Sequence, residues 1–338
     1  PISIAITYLP SPLHTEVLNS LISSGKVSFS MFATKGEDFP NLPELTSLFS
    51  SVAEFYTPEE SEGLPLFKGY TDIVIPHTVR FKQYLEEIAN RCEEIRNGNV
   101  SPEVDNMLKL THDSIAATTD MRLVYPDAPF SPHSKVAYCS DKVHEIYAKT
   151  HKNKCTQLVF CDISTPKDGF NLYDELKRLL VEKGVRPDEI AYIHDATDDK
   201  KREKLFEATR KGDIRVLIGS TMKLGTGVNV QDKCIAIHHL SIPFRPSDMQ
   251  QREGRILRQG HTNKEVFILR YVVQASFDAY SYQLLENKQR VVSQILKGAV
   301  TSRSIDEVDD SVLSYGEIKA LAVGNPLIRQ RVEASNEL

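Results

Sequence analysis

The chain has 338 residues, of which 41% are hydrophobic and 26% charged, and its formal net charge is −5. That balance excludes disordered and collagen-like chains and gives no whole-molecule attraction to nucleic acid. No apolar run approaches the ~20 residues of a membrane span, and a chain of this length predicts two domains of ordinary size.

The chain opens at Pro1 without a Met, and no basic stretch precedes Ile2–Ile6, so the reading is a piece of a longer cytoplasmic protein without a signal peptide. Residues 1–75 are rich in Pro, Ser and aromatics and read as an irregular, partly helical lead-in, with Leu45, Leu48, Phe49 and Val52 predicting a helix over Leu42–Phe55. Residues 76–132 read as a helical segment. Phe81, Leu85, Ile88 and Cys92 make an apolar stripe over residues 79–98, and Gly98 is the stop. The five cysteines (Cys92, Cys139, Cys155, Cys161, Cys234) form no C-x-x-C and read as reduced, buried thiols.

From about residue 133 the texture alternates. Strands are predicted at Thr156–Cys161, Ile190–Ile193, Ile214–Ile218, Cys234–Leu240 and Val266–Val273. Helices are predicted at Phe170–Lys183, at Thr197–Arg210 with Thr197 as N-cap, at Ser247–Arg258 and at Phe277–Lys297. Such alternation implies a parallel sheet with helices on both faces, whose ligands meet the carboxyl ends of the strands. Residues 281–338 read as a helical tail that breaks off within a helix, after an acidic stretch at Ser302–Ser311 and a short helix near Glu317–Val323.

Two loops carry chemistry. Gly219–Gln231 follows a strand and holds Gly219, Gly225 and Gly227, which either cradle phosphate with backbone N–H groups or simply turn the chain tightly. In Gln250–Gly260, Arg255 and Arg258 are spaced i, i+3, which on a helix puts both guanidiniums on one face. They are suited to a polyphosphate, or else form a solvated basic face paired with Glu253. His238 and His239 end a strand and read as core residues. No H-e-x-x-H, metal-spaced His set or G-x-S-x-G is present, so no structural metal is expected.

In this order and separation the two loops resemble motifs V and VI of superfamily 2 helicases, most closely the Swi/Snf-type DNA translocases. Ser220, Thr221, Gly225, Gly227, Asn229 and Val230 match motif V, with Leu224 in place of one glycine. Phe244, Pro246, Gln251, Arg255, Arg258 and Gly260 match motif VI. Gln157–Asp162 falls where motif IV belongs and His194–Thr197 where motif IVa belongs. Four segments, Asn41–Phe49, Asn97–Leu110, Gln157–Pro166 and Glu317–Leu327, also look like parts of large phage- and plasmid-borne proteins that join an N6-adenine DNA methylase to such a helicase.

The resemblance implies a RecA-like lobe over residues 133–280. Arg255 and Arg258 would be arginine fingers, with Gln251 setting the cleft. Gly225, Gly227, Asn229 and Gly254 would lie on the nucleotide side, and Thr221, Lys223, Asp195 and Thr197 on the DNA side. It implies ATP and Mg²⁺, held mainly by a first lobe of the same parent polypeptide, and double-stranded DNA as partner. This chain has no P-loop, because Gly25-Lys26 lacks the earlier glycine. Its Asp306-Glu307-Val308-Asp309 lies after motif VI with no strand before it. The chain alone is therefore expected not to hydrolyse ATP. An RNA-directed helicase lobe, or a binding module that only keeps the fold, are the competing readings. The −5 average hides a basic stretch over Gly219–Arg270, where eight Lys and Arg face four Asp and Glu.

Overall fold

The computed structural model describes residues 63–225, 228–274 and 276–296. The helices predicted at Leu42–Phe55 and Glu317–Val323, the acidic stretch at Ser302–Ser311 and Gly227 lie outside them. The chain divides into two compact units, and nearly all described residues, 63–285, lie in one.

Within that unit six strands form one sheet: β1 (Leu66–Ile75), β2 (Thr156–Phe160), β3 (Ile190–Tyr192), β4 (Val216–Gly219), β5 (Cys234–His239) and β6 (Glu265–Val273). The order is β1-β6-β5-β2-β4-β3, and every pairing is parallel. β2 is buried along its whole length, as a strand covered on both faces must be. Its side chains alternate between two cores. Val159 packs with Val216, Ile218, Leu269 and Tyr271 on one face, and Leu158 and Phe160 with Leu217, Ile237 and Ile268 on the other. Each such fully buried side chain contributes about 1.5–3 kcal/mol through apolar area removed from water.

The first face is covered by α1 (Val79–Arg96), α2 (Met107–Thr119), α3 (Lys135–Lys149) and α4 (Leu172–Glu182). Phe81, Leu85, Ile88 and Cys92 are the buried stripe of α1, as their spacing predicts. The second face is covered by α5 (Asp199–Lys211), the single turn α6 (Thr221–Leu224) and the segment after α7 (Pro246–Glu253). α8 (Phe277–Leu296) follows the last strand. The fold is a RecA-like α/β parallel sheet with helices on both faces.

Three local readings need correction. β1 is a strand where the sequence reads as irregular lead-in. A bulge at Lys68–Gly69, with Gly69 at φ +104°, breaks the two-residue alternation and hides it. α5 begins at Asp199, capped by Asp198 and not Thr197. The Asp198 carboxylate accepts the Lys201 N–H at 2.8 Å, and a carboxylate suits the positive end of a helix. The helix predicted to run to Arg258 ends at Glu253.

Gly212 closes α5 in the left-handed region at φ +82°, where a Cβ would stand 2.4 Å from the Lys154 carbonyl oxygen. Arg215 ties α3 to the sheet. Fully buried, it donates to the carbonyls of Cys155 and Tyr147 and lies 4.2 Å over the Tyr147 ring. All five cysteines are free and buried.

Candidate functional site

Parallel strands that end in one plane bring their following residues together. Asp162 lies two residues past β2, Thr221 two past β4 and Ser241 two past β5. Across them lies Arg252 from α7, with no exposed surface. Its Nη2 donates to Asp162 Oδ2 at 2.5 Å, its Nε to Thr221 Oγ1 at 2.8 Å and its Nη1 to the Ser241 carbonyl at 2.7 Å. Thr221 closes the ring, giving its hydroxyl proton to Asp162 Oδ2 at 2.7 Å and its N–H to Asp162 Oδ1 at 2.6 Å. The Asp162 N–H donates to Ser241 Oγ at 2.8 Å. A buried guanidinium needs its charge and its N–H groups matched, and this ring supplies a carboxylate and two further acceptors.

His239 extends the ring. Arg252 can only donate, so His239 Nδ1, 3.3 Å from Nη1, accepts. The imidazole proton then sits on Nε2, 3.6 Å from Glu253 Oε1. Burial holds the His239 pKa down to about 4, so the ring is neutral. Glu253 Oε2 accepts from the Tyr70 hydroxyl of β1 at 3.2 Å. Both neighbours at the end of α7, Arg252 and Glu253, are thus tied to the sheet.

Arg255 and Arg258 follow that end and do not share a helix face. Turn bonds from Arg255 N to Arg252 O and from Ile256 N to Glu253 O swing the chain so that Ile256 enters the core beside Leu224 and Val228. Arg255 is half-buried. Its Nη1 donates to the Val228 carbonyl at 2.7 Å and its Nε to the Gln251 carbonyl at 3.2 Å. Burial, and then the charge of nearby Arg258, lower its pKa, but a guanidinium remains charged. Arg258 is exposed.

The remaining sequence candidates divide into two groups. Thr221, expected at the DNA backbone, is buried with its hydroxyl and N–H engaged inside the lobe, because Arg252 and Asp162 need it there. Gly225 follows α6 in a position where a Cβ would stand 2.4 Å from the Thr221 carbonyl oxygen, so close packing already requires glycine. Gly254 closes α7, its N–H bonded to the Gln250 carbonyl at 2.8 Å. Asn229 is exposed, and its carbonyl accepts from Arg210 at 2.9 Å. Gln251, Lys223, Asp195 and Thr197 are exposed. Lys223 and Asp195 both act on the half-buried His194, whose pKa is lowered by burial first and by the Lys223 charge second. α6 and the turn at Ile193–Asp195 are therefore neighbours.

Sequence reasoning missed Arg252 and Ser241 and left Asp162 as the last letter of a motif. A legible signal was there: an acid directly after the apolar run Leu158–Cys161, and an arginine one residue after Gln251. His238, expected in the core, is there. Gln157 gives its amide N–H to the Val143 carbonyl at 2.9 Å, so its Oε1 accepts from His238 Nε2 at 3.0 Å, and Nδ1 accepts from the Tyr271 hydroxyl at 2.7 Å.

Among the described residues no group of three or more His, Cys, Asp and Glu is placed to hold a metal ion, and no helix is long and apolar enough to cross a membrane. Defense against restriction protein B of Escherichia phage P1 is 28% identical over 110 residues, which are 32% of this chain and 5% of that protein. The chain therefore spans a small part of that relative. The C-terminal part of the Fun30 ATPase domain has a TM-score of 0.48 and 14% identity, covering 80% of this chain and 99% of that one. Residues 139–260 match the family described as Helicase conserved C-terminal domain. The similarity to that family therefore covers β2 to β5 and α7 and ends just past Arg252, Arg255 and Arg258.

Proposed function

We propose that this chain supplies the second lobe of a Swi/Snf-like superfamily 2 DNA translocase, with Arg255 and Arg258 directed at the phosphoryl oxygens of ATP held by a first lobe. The observation that carries this is the pair of arginines placed directly after α7, which the buried Arg252 ring anchors. Guanidinium N–H groups fit phosphoryl oxygens, and Arg255 spends only two of its five on carbonyls. ATP, when bound, supplies the γ-phosphoryl group whose transfer drives the motion. The two arginines stabilise charge on it, an effect worth roughly 10³–10⁵ in rate in related enzymes.

In this reading Gln251 and Gly254 shape the cleft, and Gly225, Gly227 and Asn229 link it to the DNA side. Lys223, Asp195 and Thr197 face double-stranded DNA. Residues 133–280 carry the motifs of the lobe, β1 and the helices of residues 76–132 complete its sheet and one of its faces, and 281–338 are its tail, acting in the cytoplasm. The parent is a large phage- or mobile-element protein that also carries an N6-adenine methylase. The small share of the phage relative covered by the match supports a long parent.

The test is ATP turnover by the full-length parent. Arg255→Ala is expected to lower kcat at least 10³-fold while nucleotide affinity stays within a few-fold. A variant with wild-type kcat removes the finger role. Stimulation by RNA in place of duplex DNA would assign the lobe to the RNA-directed branch, and absence of any turnover by the parent would leave a binding module. Robust turnover by the clean 338-residue chain would also refute the two-lobe reading.

A further inference from the structure

The segment 221–230 touches the arginine-bearing region twice. At its start, Thr221 Oγ1 accepts from Arg252 Nε at 2.8 Å. Further on, the Val228 carbonyl accepts from Arg255 Nη1 at 2.7 Å. Between these points lies α6, whose outward residues Met222 and Lys223 are exposed. Arg252 has no slack in this arrangement. Its Nε, Nη1 and Nη2 are each bonded to a different strand end, and the group is planar and rigid. A shift of α6 by an ångström would break the Nε bond or carry α7 with it.

We infer that Arg252 is a positioning residue that couples α6 to the turn carrying Arg255. A ligand pressing on Met222 and Lys223 moves Thr221. Thr221 moves Arg252, and the end of α7 transmits the change to Gly254 and Arg255. Arg255 has its own contact with the same segment, donating from Nη1 to the Val228 carbonyl at 2.7 Å. Glu253, held by Tyr70 from β1, is the fixed point against which the turn pivots. The functional consequence rests on reading Arg255 as the phosphate-facing group. The mechanical coupling does not.

Amide hydrogen exchange on the 338-residue chain tests it, comparing wild type with Arg252→Lys and with the isosteric Thr221→Val. Both variants are expected to speed exchange about tenfold in Thr221–Leu224 and in Gly254–Gly260 together, while β2 and β4 keep wild-type protection. A short blunt duplex DNA added to wild type is expected to change exchange in both segments, and in the variants only in Thr221–Leu224. Unchanged exchange of Gly254–Gly260 in the variants, or an equal response to DNA in variants and wild type, overturns the coupling. Should Arg252→Lys lose the fold, Thr221→Val carries the same comparison. If wild type binds no duplex, the DNA side of the proposed function fails, and the ligand-free comparison still decides the role of Arg252.

Discussion

Asp162 Oδ2 lies 2.5 Å from Nη2 of Arg252, a residue 90 positions away in sequence and without exposed surface. The acid retains about a third of its side-chain exposure, with 35% accessible. The pair therefore works at the rim of the sheet, where the cation is dry and the anion still touches water. Removing the acid strands the cation, so Asp162→Ala is expected to cost about 3 kcal/mol in urea unfolding. Replacing both, as Arg252→Met with Asp162→Ala, should recover part of that loss, giving a coupling of about 2 kcal/mol. Additive losses would mean that the two side chains do not sense each other.

Gly212 and Gly184 both adopt positive φ, +82° and +95°, but only Gly212 is crowded. A Cβ at Gly212 would meet the Lys154 carbonyl oxygen at 2.4 Å, whereas one at Gly184 meets nothing within 4 Å. Gly184→Ala should therefore cost about 1 kcal/mol, the left-handed strain alone. Gly212→Ala should cost more, about 2–3 kcal/mol, because backbone must also move. Equal midpoints in denaturant would refute the crowding argument.

His238 and His239 are buried and neutral, with burial lowering their pKa to about 3 and about 4 from an ordinary 6.5. In the unfolded chain both take up protons below pH ~6.5, so the unfolded state binds more protons in that range and stability falls as pH drops. Each should contribute a loss of about 1.4 kcal/mol per pH unit between pH 6.5 and 4. Glu145 titrates outside most of this window, since its Lys142 and Lys149 partners hold its pKa to about 2 and its own stabilisation is lost only below the ordinary carboxylate range. Urea unfolding at pH 7.5 and 5.5 checks this. His238→Gln should flatten the slope, and a wild type equally stable at both values would contradict the buried neutral assignment.

Burial also raises the thiol pKa of Cys139, Cys155, Cys161, Cys234 and Cys92. Thiols that are both inaccessible and protonated react slowly. A thiol-reactive dye should label almost none of the five cysteines in native buffer and all of them in denaturant. Fast labelling of Cys161, next to Asp162, would show that the strand end opens.

Five of the six strands were legible because buried parallel strands must be short apolar runs bounded by breakers, and TQLVF and VLIG have no other reading in this context. β1 was not, because its bulge breaks the period and several of its side chains, Leu66, Tyr70 and Val74, remain exposed at the edge of the sheet. Arg255 and Arg258 were legible as a spaced pair. Their relation was not, because the spacing implied one helix face and the demand of Ile256 for the core ended the helix at Glu253.

By itself, then, the sequence determined the alternation of strands and helices, the parallel sheet and the residues that mark its carboxyl edge, since these follow from local periodicity and turn chemistry. Only the tertiary structure decided that Thr221 faces inward, that Arg252 rather than its neighbours holds the strand ends together, and that Arg255 rests on the Val228 carbonyl. Those relations join residues tens of positions apart. A buried guanidinium accepts whichever carboxylate, hydroxyl or carbonyl the packed sheet brings within 3 Å, and no periodicity in the chain encodes which ones those will be.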